Sequence, residues 1–534
     1  MIKTWNFSIA LPLILLAVIS CTRDEKAGLK TNVYYVSAAG NDANSGKSPH
    51  QGWKSIARVN KQKLISRDVV LFEGGSAFAG TLELNRVDST DSTGQITLSS
   101  FGSGYAIIDG ENGMAMKAEN CRNFLIKRIH FKGNGRKGGN QSDGVYITAC
   151  DHVLFDSIEI SGFQHSGLSV FKCSNVRITH VYAHENGFAG IHVTGTTIWD
   201  KDKYDNTSIY IAHCIAENNP GDPTALDNHS GNGILASSVR GGTIEFCESF
   251  NNGWDMPWKG NGPVGIWIWD CTDFVIQHCI SHDNKTAVGA ADGGGFDLDG
   301  GVSNSVIQFC LSYNNQGPGI GLFEFGAGKV WENNIVRFNI SQNDGTNGQG
   351  SLAIWKGEAG GTIRNCEIYN NTFYNKEGPN LCPMNNWTGF NFINNIFVYR
   401  GSILVQGKKI RDEMFRHNLY WNLNAQATFL GYPDLERWAR STGKEMVSGK
   451  FTGIYEDPLL QDPGKISLTD PMQLQRQGLA AYLPVAGSPL VDAGFDIHDL
   501  SSPVDQDISG TPIPQGKAHD IGALEYKPNY TTTK

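Results

Sequence analysis

Between about residues 116 and 400, apolar and polar positions alternate in a pattern that repeats along the chain. Each repeat has a glycine, a short apolar strand, a turn, a second apolar strand, and then asparagine or aspartate with glycine. The repeats that start at Gly144, Gly167 and Gly190 are spaced 23 residues apart, and later ones begin at "GILASS", "GIWIWDC", "GFDLDGG" and "GIGLFEF". A regular period of β-branched strands without helical segments between them predicts a parallel β-helix, one coil per repeat.

The repeats, the opening "YYVSAAGNDANSGKSPHQGWKSIARVN" and the ending "AGSPLVDAGFDIHDLSSPVDQD" with "HDIGALEY" resemble right-handed parallel β-helix proteins of the pectin-lyase-like kind. The resemblance covers most of the chain. It implies an all-β, single-stranded solenoid with an N-terminal capping helix, and a carbohydrate as the substrate. Residues 31–115 are expected to form the cap and first coils, 116–400 the repeats with the active face, and 401–534 a helical insertion and the last coils. The insertion is predicted in "PDLERWARSTG", between Pro433 and Gly443.

Side chains alternate along a strand, so the register separates core residues from outward residues. Counted from the glycine, the first and third positions are apolar, as in Phe296 and Leu298, and are predicted to face the core. The second and fourth positions are predicted to face solvent, and they include His192, Trp267, Trp269, Asp297, Asp299 and Trp355. The fifth position, where the strand turns, carries Asp270, Glu324 and Lys356.

Asp270, Asp297, Asp299 and Glu324 form a predicted acidic cluster that the fold itself does not require. Coils stack at about 4.8 Å and strands rise about 3.35 Å per residue. Several acidic pairs therefore fall in the window of about 6.5–9.5 Å expected for inverting glycoside hydrolysis. Crowding raises the pKa of at least one carboxyl, as a general acid requires. We expect two of the four to be acid and base, with Asp297 or Asp299 favoured as base and Glu324 as acid.

Aromatic side chains near the acidic strands suit the flat faces of sugar rings. Trp267, Trp269 and Trp355 share the outward face, with Lys356 beside them, while His192 either borders the groove or is ordinary surface. Two consecutive coils carry insertions, which are predicted to wall the groove. Their polar and aromatic residues are Trp254, Asp255, Trp258, Lys259, His282, Asp283 and Asp292.

Three functional interpretations remain open at this point. The leading one is a glycoside hydrolase that needs no cofactor. The second is a polysaccharide lyase in which Asp270, Asp297 and Asp299 bind Ca²⁺ through oxygen and Lys356 or Lys259 is the base, although the outward face lacks an arginine row for an acidic glycan. The third is a glycan-binding surface protein without turnover.

The N-terminus indicates export. Residues 1–20 have a lysine before an apolar run that is shorter than a membrane span, as in a signal peptide. Val18, Ile19, Ser20 and Cys21 resemble a bacterial lipobox, which implies lipidation of Cys21 and a tether over 21–30. We therefore expect a cell-envelope, outer-membrane lipoprotein that meets the membrane only through its lipid, with its side of that membrane open. The net charge of −9 gives no basic footprint for nucleic acid, and we expect a monomer.

The repeat also explains most of the remaining cysteines and many asparagines. Two rows of cysteines recur at equivalent positions, and we expect them to be small apolar residues in the interior, without disulfides: Cys121, Cys150, Cys173 and Cys271, and Cys214, Cys247, Cys279, Cys310 and Cys366. Paired asparagines are predicted to form a hydrogen-bonded ladder at one corner: Asn218 with Asn219, Asn251 with Asn252, Asn314 with Asn315, and Asn370 with Asn371.

Overall fold

The computed structural model describes residues 31–85, 94–196, 200, 203–326, 328–357, 361–384, 387–426, 428–475 and 478–527. The predicted signal peptide, the tether and Cys21 lie outside the described residues. Within the described ranges, no helix has both the length and the apolar character needed to cross a membrane.

The strands form three parallel stacks, one on each side of a coiled prism, and long strands bend from one stack into the next. Sheet A contains Leu82–Asn85, Met116–Glu119, Val145–Thr148, Ser166–Phe171, Ala189–Thr194, the first halves of Asn232–Glu245 and Val264–Gln277, Gly294–Leu298, Ile320–Glu324, Leu352–Lys356 and Leu381–Met384.

Sheet B contains Val33–Val36, Val69–Glu73, Ile96–Phe101, Arg122–Lys127, the first halves of Asp151–Ser161 and Ser174–His184, Asn206–Ala212, the second halves of Asn232–Glu245 and Val264–Gln277, Val306–Gln308, Trp331–Arg337, Ile363–Tyr369, Thr388–Ile393 and Met414–Arg416. Sheet C contains Ala77–Ala79, Ala106–Glu111, Ile129–Gly133, the second halves of Asp151–Ser161 and Ser174–His184, Ile215–Glu217, Glu248–Phe250, Ile280–His282, Leu311–Tyr313, Ile340–Gln342, Thr372–Tyr374, Ile396–Tyr399, Leu419–Asn422 and Ile454–Tyr455. The predicted all-β parallel β-helix is confirmed.

The interior is a continuous apolar core built from the inward positions of the coils. In sheet A, Ile266 aligns with Phe296 and Phe296 with Ile320, and all three side chains are buried. Each such side chain contributes roughly 1.5–3 kcal/mol when it is removed from water. The predicted inward register of sheet A is therefore confirmed.

The cysteines also lie in this interior. All ten cysteines of the described residues are buried and free of disulfides, as predicted. Eight of the thiols donate to the backbone carbonyl two residues back, as Cys279 Sγ does to the carbonyl oxygen of Gln277 at 3.2 Å. The thiols therefore act as small core side chains.

The asparagines form two ladders, where the sequence predicted one. At the corner between sheets C and A, Asn186, Asn219, Asn252, Asn284 and Asn315 each donate from Nδ2 to Oδ1 of the next coil, and Asp344 is the last acceptor. At the corner between sheets B and C, Asn339, Asn371, Asn395 and Asn418 do the same, and Glu445 is the last acceptor. In each predicted pair, the first asparagine has a left-handed backbone, with φ of 52° at Asn251.

Two α-helices flank the coils in the described part of the chain. The N-terminal helix α1, Ile56–Asn60, begins after Ser55, whose hydroxyl accepts from the backbone N–H of Arg58 at 3.1 Å. The predicted insertion helix α2 spans Leu435–Thr442. Asp434 caps its first turn, and left-handed Gly443 ends it. A two-residue antiparallel pair, Met446–Val447 with Lys450–Phe451, follows α2.

The C-terminal segment, residues 456–527, differs from the sequence expectation. It was expected to form the last coils, yet its described residues contain short 3₁₀ turns over Pro471–Gln473, Ala480–Tyr482 and Ile497–Asp499 and no further coil. The segment packs along sheets B and C, where Tyr313 and Tyr369 donate to the carbonyls of Leu468 and Ser502. These contacts do not involve sheet A, which contains the candidate catalytic residues.

Candidate active site

Asp297 occupies an outward position of sheet A but is almost completely enclosed. The register places it between Trp267 on the preceding coil and Gly321 on the next. A β-carbon at Gly321 would lie 2.7 Å from the Phe323 ring and 3.0 Å from Asp297 Oδ1. The Phe323 ring therefore lies over the gap left by this glycine, and Asp297 is only 2% exposed. The solvent-facing position predicted for Asp297 is wrong because neighbouring rings cover it.

Enclosure changes the acidity of the carboxyls around this strand. Burial raises the pKa of Asp297 well above its usual range, and the charges of Asp299 and Asp292 raise it further. Within the described residues, Asp297 Oδ1 has no hydrogen-bond partner. Asp299 is half-buried, and burial raises its pKa to about 8, although the backbone N–H of Gly300 donates to its Oδ1 at 2.7 Å. Asp299 is therefore mostly protonated at neutral pH, and the pKa of Asp297 is shifted in the same direction.

Asp292 completes the group, and the sequence reasoning placed it only in a loop wall. It precedes the strand with a left-handed backbone, φ 58°, and Gly262 N–H donates to its Oδ2 at 2.9 Å. Burial raises its pKa to about 6, and its charge acts on both Asp297 and Asp299. Its position just before Gly293 and the strand Gly294–Leu298 is the feature of the sequence that could have placed Asp292 in the acidic group.

Glu324 has a different environment from these three aspartates. It is fully buried at the strand end, where Oε2 accepts from Gly301 N–H at 3.0 Å and Oε1 accepts from Gly326 N–H at 2.7 Å. Each carboxylate oxygen of Glu324 is therefore engaged by a backbone N–H of a turn. This arrangement favours a positioning role for Glu324 over the predicted role of general acid.

Asp270 is separated from the cluster by its backbone conformation. Its φ of 52° turns the side chain away from the outward row, and it forms a buried ion pair with Lys329 at 2.7 Å. The Lys329 ammonium also donates to the Lys203 carbonyl and lies 3.7 Å from the Tyr204 ring centroid. Burial raises the pKa of Asp270 to about 7 despite this partner. The structure does not bring Asp270 together with Asp297 and Asp299.

Aromatic rings and histidines flank the aspartates along sheet A. Trp267 is buried and donates from Nε1 to Asn232 Oδ1 at 3.1 Å, with the His229 ring 5.2 Å away. Other ring pairs with their centroid separations are Trp269 with Phe325 at 6.0 Å, Phe323 with Trp355 at 6.4 Å, and His192 with Phe188 at 5.0 Å. Burial lowers the pKa of His192 to about 3 and that of His229 to about 4. Both rings are neutral, so they add polar edges without positive charge.

The remaining predicted residues lie at the margins. Trp254 is 46% exposed and donates to Asn218 Oδ1, while Trp258 donates to Asn261 within its own loop. Lys259 is exposed, and Lys356 lies in register with Glu324.

His282, expected in the groove wall, is buried in sheet C. It is bonded there to Glu248 at 3.1 Å, and its ring stacks between Phe250 and Tyr313. The structure therefore does not place His282 in the wall of the groove on sheet A.

Comparison with known proteins agrees with the fold. A family model described as a right handed beta helix region matches residues 85–231. The crystal structure of GH136 lacto-N-biosidase from Eubacterium ramulus superposes with a TM-score of 0.50 at 15% identity, covering 73% of this chain and 67% of that chain. The structure of pectate lyase Pel9A gives a TM-score of 0.45 at 16% identity, with 93% and 97% covered. These similarities show that the chain has the right-handed parallel β-helix fold.

A curated relative gives the likeness in sequence. Lacto-N-biosidase from Bifidobacterium longum subsp. longum is 24% identical over 633 aligned residues, which cover 95% of this chain and 37% of the relative. The chain thus spans little more than a third of that protein's length.

Proposed function

We propose that this protein is a glycoside hydrolase that uses the aspartates around the strand Gly294–Leu298. The observation that carries the proposal is the raised pKa of three neighbouring carboxyl groups, Asp292, Asp297 and Asp299, among aromatic side chains. Burying charged groups together destabilises the folded protein, so such a cluster is typical of a catalytic site. The similarity to lacto-N-biosidase supports a carbohydrate substrate.

The different pKa values divide the chemistry between two aspartates. Asp299, with a pKa of about 8, is protonated at neutral pH and gives its proton to the leaving glycosidic oxygen. Asp292, with a pKa of about 6, is mostly ionised and either attacks the anomeric carbon or takes a proton from the attacking water. Asp297 lies under the Phe323 ring and has a positioning role, because its charge state is linked to those of Asp299 and Asp292, which raise its pKa.

We propose oligosaccharides that end in lacto-N-biose as the first substrates to test, since the curated relative is named for that unit. The half-buried rings of Trp269 and Trp355 supply apolar faces near the aspartates for the sugar to pack on. The absence of charge on His192 and His229 agrees with a neutral glycan rather than a uronate.

The test is to incubate the protein with lacto-N-biose-terminated, other neutral and uronic glycans, and to read reducing ends and unsaturated-uronate absorbance together. We expect reducing ends without that absorbance, and a loss of at least about 100-fold in Asp299→Asn. Glu83→Gln is the matched control, since Glu83 is exposed on the same outward row several coils away and should keep full activity.

Two other outcomes would replace the hydrolase. Chelator-sensitive absorbance would indicate the lyase, although Asp270, one of the Ca²⁺ ligands predicted for it, is held by Lys329. Sugar binding that persists in Asp299→Asn, with no product from any glycan, would indicate a binding protein. The anomer released first, followed by NMR, shows whether Asp292 attacks the sugar or activates water.

We also propose that the protein is a monomeric outer-membrane lipoprotein of the bacterial envelope, anchored through Cys21. The lipobox-like residues Val18–Cys21 support this. Incorporation of labelled palmitate that is lost in Cys21→Ser is the expected result, and unchanged labelling would contradict it.

A further inference from the structure

A second chemical cluster lies far along the chain from the aspartates of sheet A. Asp496, His498 and His519 each offer a ligand atom, and these atoms lie within 4.8 Å of one another. His498 Nδ1 is 2.9 Å from Asp496 Oδ1, and His519 Nδ1 is 3.6 Å from the same oxygen. The two imidazole rings face this carboxylate from different parts of the chain.

His519 is the informative member because it is buried and one of its ring nitrogens is unpaired within the described residues. Only 3% of the residue is exposed, yet Nε2 has no partner within the described residues. The Nδ1 separation of 3.6 Å is too long for a hydrogen bond to Asp496. A buried imidazole normally finds a partner for each nitrogen.

The other two side chains are prepared for the same ligand. The backbone N–H of His498 donates to Asp496 Oδ1 at 3.0 Å, and His498 Nδ1 lies 2.9 Å from the same oxygen, so the imidazole and the carboxylate are already held side by side. His498 Nε2 lies 3.8 Å from the exposed Asp505 carboxylate. A carboxylate behind the remote nitrogen is a common feature of metal-bound histidine.

We propose that Asp496, His498 and His519 bind a divalent transition-metal ion of the zinc type. Two neutral imidazoles and one carboxylate suit Zn²⁺, with water in the remaining position. Because the ligand atoms already lie within 4.8 Å, movements of about 1 Å bring them to bonding distances of about 2.0–2.2 Å from one ion.

The position of the cluster indicates what the ion does. Phe495 N–H donates to Asn394 Oδ1 at 2.7 Å and Gly522 N–H donates to the Asn394 carbonyl at 2.8 Å, at the corner between sheets B and C. The ligands therefore stand on two stretches of the C-terminal segment that both dock on this corner. A bound ion ties the stretches together and holds the segment against the last coils. This role is independent of the proposed hydrolase activity.

The test is a calorimetric titration of the EDTA-stripped full chain with ZnCl₂. We expect one ion per chain, at least tenfold weaker binding in Asp496→Asn and His498→Ala, and unchanged binding in His180→Ala. His180 is a suitable control because it is also exposed and lies 2.9 Å from a carboxylate, that of Asp156, without a third ligand. Co²⁺ in place of Zn²⁺ should give weak visible bands without thiolate charge transfer, which excludes the cysteines as ligands.

Hydrogen exchange then tests the structural role. Zinc should slow exchange over residues 494–525 in the wild type and leave the His498→Ala variant unchanged. Absence of zinc binding, or binding that survives both substitutions, would overturn the site. Binding that leaves exchange over 494–525 unchanged would overturn the proposed link between the two stretches.

Discussion

Gly321 shows how one missing side chain shapes the acidic site. Each coil of sheet A normally places an outward side chain beside the one on the previous coil. Next to Asp297 this position is Gly321, which has no side chain, and the Phe323 ring occupies the space. The ring excludes water from Asp297 and leaves its Oδ1 unpaired within the described residues. Asp297 is therefore buried because the neighbouring strand has a glycine, Gly321, at the adjacent position.

Gly321→Ala should therefore weaken catalysis while the coils stay intact. The new methyl group would lie 2.7 Å from the Phe323 ring and 3.0 Å from Asp297 Oδ1, so the ring must move away from the aspartate. We expect kcat/KM to fall by about tenfold or more, in line with the sensitivity of catalysis to displacements of about 1 Å. Gly113→Ala is the control, because its nearest neighbour lies at an ordinary 3.6 Å. Equal activity in both variants would contradict the role given to Phe323.

The two titrating aspartates predict a bell-shaped pH dependence. Asp292 must be ionised, so kcat/KM should fall as the pH drops below about 6, and Asp299 must be protonated, so it should fall above about 8. Both pKa values are raised by folding, so the two groups destabilise the folded state as pH rises from about 4, the unfolded value, towards 8. The free energy of unfolding, measured by chemical denaturation, should fall less between pH 5 and pH 8 in Asp299→Asn than in the wild type. A flat rate profile would contradict the assignment.

At the scale of the element, the coil is held at its corners as well as along its strands. Asn252 illustrates this, since its Oδ1 accepts from the backbone N–H and the Nδ2 of Asn219, and its own Nδ2 donates to Asn284. All of these atoms are buried, so each lost partner leaves an unsatisfied group.

Asn252→Ala should therefore cost about 1–3 kcal/mol of unfolding free energy. Asn251→Gly, one position earlier, keeps the left-handed backbone that glycine tolerates and should change stability by less than about 0.5 kcal/mol. Urea-unfolding midpoints measured for both variants provide the comparison. Similar midpoints for the two would show that the ladder contributes little.

These elements also show how far sequence reasoning reached. The period predicted the coils, the inward register of Phe296 and Leu298 and the buried thiols, while Pro433 and Gly443 predicted helix α2, because each of these features depends on local sequence. The period missed the second ladder, since Asn370 and Asn371 look like the other pairs until the corner that they occupy is known.

The site was harder to predict for a physical reason. Alternation gives the side of a strand but not what covers it, so the enclosure of Asp297 by a ring from the next coil was not foreseeable. Asp270 and Glu324 sit where strands turn, and there a single left-handed residue or two backbone donors redirect a carboxylate.

At the scale of the whole molecule, stability rests on packing and ladders without covalent cross-links in the described part of the chain. Burial raises the pKa of thiols such as Cys214 well above the usual range, which keeps them unreactive. The melting temperature should therefore be the same with and without dithiothreitol. Ellman's reagent should label the ten buried cysteines only after denaturation; rapid labelling of the native protein would contradict the closed interior.

The two ladders have a direction. Every asparagine gives an N–H to the following coil and receives one from the coil before, but Asp344 and Glu445, at the ends, only receive. Duplication of a coil upstream of either carboxylate adds one more asparagine and leaves the series unbroken. A coil duplicated after Asp344 or Glu445 would follow a carboxylate, which has no side-chain N–H to donate to the next coil. In each ladder a single acidic residue therefore ends the series of asparagines, and beyond Asp344 the coils continue without that ladder.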